Sequence, residues 1–159
     1  MSLAAPKPSR IDGTPFRFAV VAARFNPALV DGLLARVTDG LRAAGVKAGR
    51  IDIHRVPGSH EVPWAAARLA ARGRFDCIIA LGVLIGGDTN HHEMVGQSVS
   101  HALQHVAVTS GVPVINGVIV TENLAQARAR CTGRINRGAE FAQAALAMAA
   151  LNRHLGRKS

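Results

Sequence analysis

From residue 16 onward, short apolar runs alternate with longer stretches in which apolar residues recur every three or four positions. Phe16 to Ala23 and Cys77 to Ile85 are nearly unbroken apolar runs, and the latter has the composition of a strand covered on both faces. Ile51 to Val56 and Val114 to Val120 read as two further strands. Between the strands, Ala28 to Ala44 carries Leu29, Leu33, Leu34, Val37 and Leu41 at helical spacing, and Gly45 ends it. Pro27 suits a first helical turn, with Asn26 the expected N-cap. A second helix is expected from Glu61 to Ala71, after the turn Pro57-Gly58-Ser59. A third is expected from about His91 to Ser110, stopped by Gly111 and Pro113. Helical sequence fills most of the remainder, broken near Thr132-Gly133. Residues 1–15 hold Pro6, Pro8, Gly13 and Pro15 and read as an irregular arm, which leaves one domain over 16–159.

The order is β-α-β-α-β-α-β-α. Short connections in such a chain predict a three-layer α/β/α sandwich around a four-stranded parallel sheet. Ligands in sheets of this kind bind beyond the carboxyl ends of the strands, near a switch point in strand order. Four loops therefore matter most: 24–27, 57–61, 85–92 and 121–123.

Composition narrows the partners. The chain has 159 residues, enough for one well-buried core, and 48% of them are hydrophobic, which argues against disorder. The net charge is +9, carried almost wholly by arginine. That excess suits an anionic substrate, a nucleic acid or a solvated surface. Aromatic residues are only 4%, no basic run exceeds two residues, and a stacking platform for single strands is lacking, so no nucleic-acid partner is expected. No apolar leader and no stretch long enough to cross a membrane is visible, so no membrane is expected and the cytoplasm is the default compartment. Cys77 and Cys131 form no CxxC pair; Cys77 reads as a buried thiol.

The loops carry the candidate chemistry. Phe25 either stacks on a flat ligand ring or caps the core. Ser59, His60 and Glu61 form a polar turn; Glu61 either profits from the helix dipole or binds substrate hydroxyls. Gly86-Gly87 lets backbone N–H groups approach an anion at the start of the next helix, with Asp88, Thr89 and Asn90 as binding or capping residues. His91 at that helix start suits acid-base chemistry near neutral pH. His91 and His92 point about 100° apart on a helix, so they converge poorly on one ion. His101 and His105 have i, i+4 ligand spacing but no evident third ligand, and no metal is expected. Arg128, Arg130, Arg134 and Arg137 suit phosphate recognition or a solvated helix face.

Five ordered stretches make a specific set: Ala23-Arg24-Phe25-Asn26; Val56-Pro57-Gly58-Ser59-His60-Glu61-Val62-Pro63; Ala80 to Ile85 through Thr89-Asn90-His91; Gly117 to Asn123; and Asn136-Arg137-Gly138-Ala139-Glu140. Over residues 16 to 155 the chain resembles the lumazine synthase family of riboflavin biosynthesis. The resemblance implies a flavodoxin-like fold and the condensation of 5-amino-6-(D-ribitylamino)uracil with 3,4-dihydroxy-2-butanone 4-phosphate, with no cofactor. It implies that Phe25 stacks on the pyrimidine, that Ser59, His60 and Glu61 hold the ribityl chain, and that Val83, Leu84 and Ile85 line the ring pocket. Asp88 and Thr89 match the phosphate-binding backbone, His91 the proton shuttle, and Arg130 the phosphate-pairing arginine that reaches a neighbouring subunit's site. Asn116 joins the substrate-binding set, and Arg137 stands where the family often has lysine.

Three departures bear on the site: Gly86 where arginine is common, Asp88 beside the phosphate position, and His92 where an aromatic is common. Asp88 is therefore expected to point away from the phosphate or to cap the helix. They motivate an alternative, a catalytically weak lumazine- or flavin-binding relative. The resemblance also implies a homo-oligomer with sites at subunit interfaces. The expected size is a pentamer or a small multiple, because the prolines of the arm hinder β-pairing to a neighbour.

Overall fold

The computed structural model describes residues 9–156. Pro6 and Pro8 of the expected arm lie outside them. Strands β1 (Phe18–Ala23), β2 (Ile51–Val56), β3 (Cys77–Ile85) and β4 (Val114–Thr121) form one parallel sheet in the order β2-β1-β3-β4. Helices α1 (Pro27–Ala43), α2 (Val62–Ala70), α3 (His91–Ser110), α4 (Leu124–Cys131) and α5 (Arg137–Gly156) cover its faces. The layered parallel architecture expected from the sequence is the one observed.

Side-chain alternation along the strands divides the core in two. Phe18, Val20 and Ala22 of β1 face α1, α4 and α5, packing with Leu33, Val37, Leu41, Ala127 and Leu146. Ala19, Val21 and Ala23 face α2 and α3, packing with Val62, Leu69, Val99 and Leu103. All six residues of β1 are buried, and β3 is buried until its last two residues. Edge strand β2 instead alternates, with Ile53 and Arg55 exposed. Helices α1 and α5 approach closely because small residues meet there. A Cβ on Gly40 would come within 2.7 Å of Ala142.

Several boundaries shift for local reasons. Phe16 and Arg17 are not strand residues: Phe16 N–H donates to Gly13 O at 3.0 Å and Arg17 N–H to Asp76 Oδ2 at 2.7 Å. The stretch before β1 is irregular, yet its last residues are packed. Gly13 is buried with its N–H on Ala44 O at 2.7 Å, and Ile11 lies against the core. Ser59–Glu61 form a 3-10 turn rather than the start of α2. The expected helix break falls between α4 and α5.

Asp76, just before β3, ties three segments together. It accepts from Arg17 N–H, and its other oxygen accepts from Arg153 Nε at 2.5 Å. Arg153 also donates to Pro15 O at 2.6 Å and lies over the Phe16 ring at 5.0 Å. The Asp76 carboxylate holds the Arg153 guanidinium above its ordinary pKa. Replacing Asp76 by Ala leaves these donors without their acceptor and should lower stability by about 1–3 kcal/mol in urea unfolding. Burial pushes the Cys77 thiol to about 12 and the Cys131 thiol to about 11. Both cysteines should therefore ignore a thiol reagent at neutral pH in the native state and react once unfolded. The unfolded thiols ionise from about 9.0 while the folded ones keep their protons, so stability should fall as pH rises through that window.

Candidate active site

In the order β2-β1-β3-β4 the chain leaves β1 toward β2 and then crosses back to β3, so the switch point lies between β1 and β3. The loops that follow these two strands part there. A cleft of about 850 Å³ opens between them, walled by Phe25, Asn26, the 58–61 turn, Val83 to Ile85, Gly87, Thr89 and the first two turns of α3.

Loop 24–27 is fixed by Asn26. Its backbone is left-handed, with φ 54° and ψ 55°, and its side chain does not cap α1 as expected. The Asn26 amide instead donates to Val83 O at 2.9 Å, because the left-handed turn aims it across the cleft floor at β3. The carbonyl of Asn26 still starts the helix by accepting from Leu29 and Val30. The loop then presents Phe25 with 71% of its surface exposed, which rules out the core-capping role.

The second wall is the turn 58–61. Glu61 Oε2 accepts from Gly58 N–H at 2.8 Å, which holds the carboxylate over the turn. Its other oxygen is 4.0 Å from His60 Nδ1, too far for a hydrogen bond. Ser59 is buried, and its hydroxyl has no hydrogen-bond partner among the described residues. Gly82 of β3 lies against it. A Cβ there would run into the serine hydroxyl, so this turn can approach the sheet only over a glycine.

The third wall is loop 86–90 and the start of α3. Asn90 precedes the helix with φ −80° and ψ 21°, and its side chain does not cap it. The capping role weighed for Asp88, Thr89 and Asn90 has no counterpart in a side-chain cap, because this near-helical backbone carries the Asn90 carboxamide away from the first-turn amides. Asp88 is exposed and does not line the cleft, while Thr89 and His91 do. His91 is exposed and His92 buried, so the neighbours diverge as helix geometry requires. Met94, Val95 and Ser98 extend the His91 wall down the helix. The signal was the i+3, i+4, i+7 spacing from His91.

The cleft thus unites Phe25, Ser59, His60, Glu61, Val83, Leu84, Ile85, Thr89 and His91. It does not include Asn116, Arg130 or Arg137. Asn116 is exposed on β4, where its Oδ1 accepts from Val118 N–H at 3.1 Å. Arg130 is at the end of α4 and donates to Gln126 O at 3.1 Å. Arg137 opens α5 and pairs with Glu140. Among the described residues no lysine or arginine lines the cleft.

The model of the 6,7-dimethyl-8-ribityllumazine synthase family matches residues 15–153. The chain belongs to this family. It is 42% identical over 143 residues to the 6,7-dimethyl-8-ribityllumazine synthase of Thermococcus onnurineus, covering 90% of this chain and 93% of that one. It is 45% identical over 140 residues to the enzyme of the same name from Halorhodospira halophila, covering 87% and 90%. With the counterpart from Pyrococcus furiosus it shares 42% over 144 residues, covering 91% and 90%. In this lumazine synthase family member, the match spans every strand and helix that shapes the cleft.

Substitution at Asn26 should separate its two contributions. Asn26→Gly keeps the left-handed backbone and loses only the hydrogen bond to Val83. Asn26→Ala loses both and should be less stable than the glycine variant by about 1 kcal/mol in denaturant unfolding.

Proposed function

We propose that the chain is a transferase joining 5-amino-6-(D-ribitylamino)uracil to 3,4-dihydroxy-2-butanone 4-phosphate, with release of phosphate and water to give 6,7-dimethyl-8-ribityllumazine. The observation that carries this reading is the cleft at the switch point, in a chain whose family match covers all of its walls. The exposed Phe25 ring offers a face for the pyrimidine, and Val83, Leu84 and Ile85 offer the apolar floor. The Ser59 hydroxyl and the Glu61 carboxylate accept from ribityl hydroxyls, with His60 beside them. Backbone N–H groups around Asp88 and Thr89, at the start of α3, receive the phosphate.

The pyrimidine amine attacks the ketone carbonyl, and loss of water leaves an imine. Phosphate then departs, and ring closure with loss of a second water completes the product. His91 moves protons in these steps, and no cofactor is called for by the chemistry.

A dianionic phosphate in a cleft without lysine or arginine needs charge from elsewhere. Arg130, on α4 outside the cleft, supplies it from a neighbouring copy in this reading. Arg137 and Asn116 complete the substrate-binding set, Arg137 sharing its charge with Glu140. The assembly is a pentamer or a multiple of it with sites between subunits. One domain over 16–159 follows the arm over 1–15. The free thiols of Cys77 and Cys131 fit a reducing cytoplasm.

Mixing the two substrates with the protein should produce the lumazine chromophore faster than the spontaneous reaction. No acceleration, together with tight retention of lumazine or flavin, would replace the enzyme by a binding relative. His91→Ala should slow turnover by about 10²-fold or less, the size of a general acid-base contribution. Arg130→Ala should chiefly raise KM for the phosphorylated butanone; unchanged kinetics would remove its role.

A further inference from the structure

We propose that His92, Glu93 and Glu122 form a binding site for a divalent transition-metal ion of the zinc or cobalt type. The inference does not rest on the condensation reaction.

His92 lies on the core-facing stripe of α3, followed by Val95, Val99, Leu103 and Val106. Every later position on that stripe is apolar, so an imidazole here needs a reason. Only 7% of the residue is exposed, and neither ring nitrogen has a hydrogen-bond partner among the described residues. Buried polar atoms without partners are rare and point to an absent ligand, ion or water. The ring is not aimed into apolar space. Its Nε2 stands 3.5 Å from Glu122 Oε2.

Two carboxylates converge on that nitrogen from different elements. Glu122 comes from the loop after β4. Glu93 follows His92 on the helix; neighbouring Cβ atoms diverge there by about 100°, as for His91 and His92, but the longer glutamate arm brings a carboxylate oxygen back beside the imidazole. One ligand atom from each of the three residues lies within 4.8 Å of the others. Donors around one zinc ion are on the order of 3–3.5 Å apart, given bonds near 2.0–2.2 Å. Both glutamates are exposed, so side-chain rotation suffices to close the difference.

Sheet register builds this meeting point. Ile85 pairs with Thr121, which sets Gly86 beside Glu122. Gly86 N–H donates to Thr121 O at 2.7 Å, and a Cβ at Gly86 would come within 2.6 Å of Glu122 O. The bare glycine lets the loop carrying Glu122 settle against the start of α3. Two of the sequence departures, Gly86 and His92, therefore meet at one place.

The donor set decides the class of ion. A neutral imidazole with two carboxylates leaves a net charge of −2 for a divalent cation to neutralise. Nitrogen ligation disfavours magnesium and calcium, which take oxygen ligands, and suits a borderline ion such as zinc or cobalt. Three protein ligands leave further positions to water. A bound ion would clip the first turn of α3 to the β4–α4 loop, at the rim of the cleft that His92 lines beside His91.

The test uses the full chain without an affinity tag, stripped with chelator and titrated with Co²⁺ by visible absorption and with Zn²⁺ by calorimetry. The wild type should take up one ion per chain and melt at a higher temperature when loaded. His92→Phe, which restores a flat apolar ring to the stripe, should weaken binding about tenfold or more, and so should Glu122→Gln. His105→Ala, which removes the exposed i, i+4 pair with His101, should bind as the wild type does. If His92→Phe fails to fold, Glu122→Gln decides, since its carboxylate is on an exposed loop. Absence of uptake by the wild type overturns the proposal. Undiminished binding by Glu122→Gln, or loss only in His105→Ala, overturns it as well.

Discussion

The pairing of β1 with β3, residue for residue from Phe18 against Cys77 to Ala22 against Leu81, is the constraint on which the rest depends. Both strands are buried on both faces, so neither can shift register without repacking both layers of the core. They are also separated in sequence by β2 and two helices, so the chain must cross over between them. Their following loops are thereby driven to opposite sides, and the opening between those loops is the cleft. Asn26 fastens one side to the other through Val83 O, so the aperture is held by the same two strands that create it.

Most of the fold was legible because its signals were local. Apolar runs gave the strands, a 3.6-residue period gave α1 and α3, and glycine marked the ends. The misread positions are those where a distant group overrides local preference. Phe16 and Arg17 look like strand, but the Asp76 carboxylate takes the amide that would begin the ladder. Asn26 before Pro27 has the composition of an N-cap, yet its amide finds a carbonyl 57 residues away. The loop residues of the cleft were visible for the same reason as the strands, since strand ends place them. The encounter of His92 with Glu122 was not visible. It depends on the β3–β4 register, which no window of sequence contains.

The excess of positive charge also looks different once its neighbours are known. Arg17 and Arg74 share Asp52, Arg55 pairs with Asp31, Arg137 with Glu140 and Arg153 with Asp76. These pairs lie outside the cleft, and the more exposed of them, such as Arg55 with Asp31, contribute little each, unlike the partly buried Asp76 junction. Asp31, Asp52 and Asp76 are occupied in fastening segments, and arginines such as Arg24, Arg72 and Arg134 are left at the surface. Among the described residues the cleft itself contains none of that charge.

The Asp76 junction has a consequence for how the molecule can be handled. Pro15 and Arg153 meet there, before the first residues of β1 and β3, at the end of the sheet opposite the cleft. Residues 15 and 153 are therefore neighbours on the side of the molecule away from the cleft mouth. A linker joining positions 15 and 153 would close the segment between them into a ring. New termini could then be opened elsewhere without moving a single wall of the cleft.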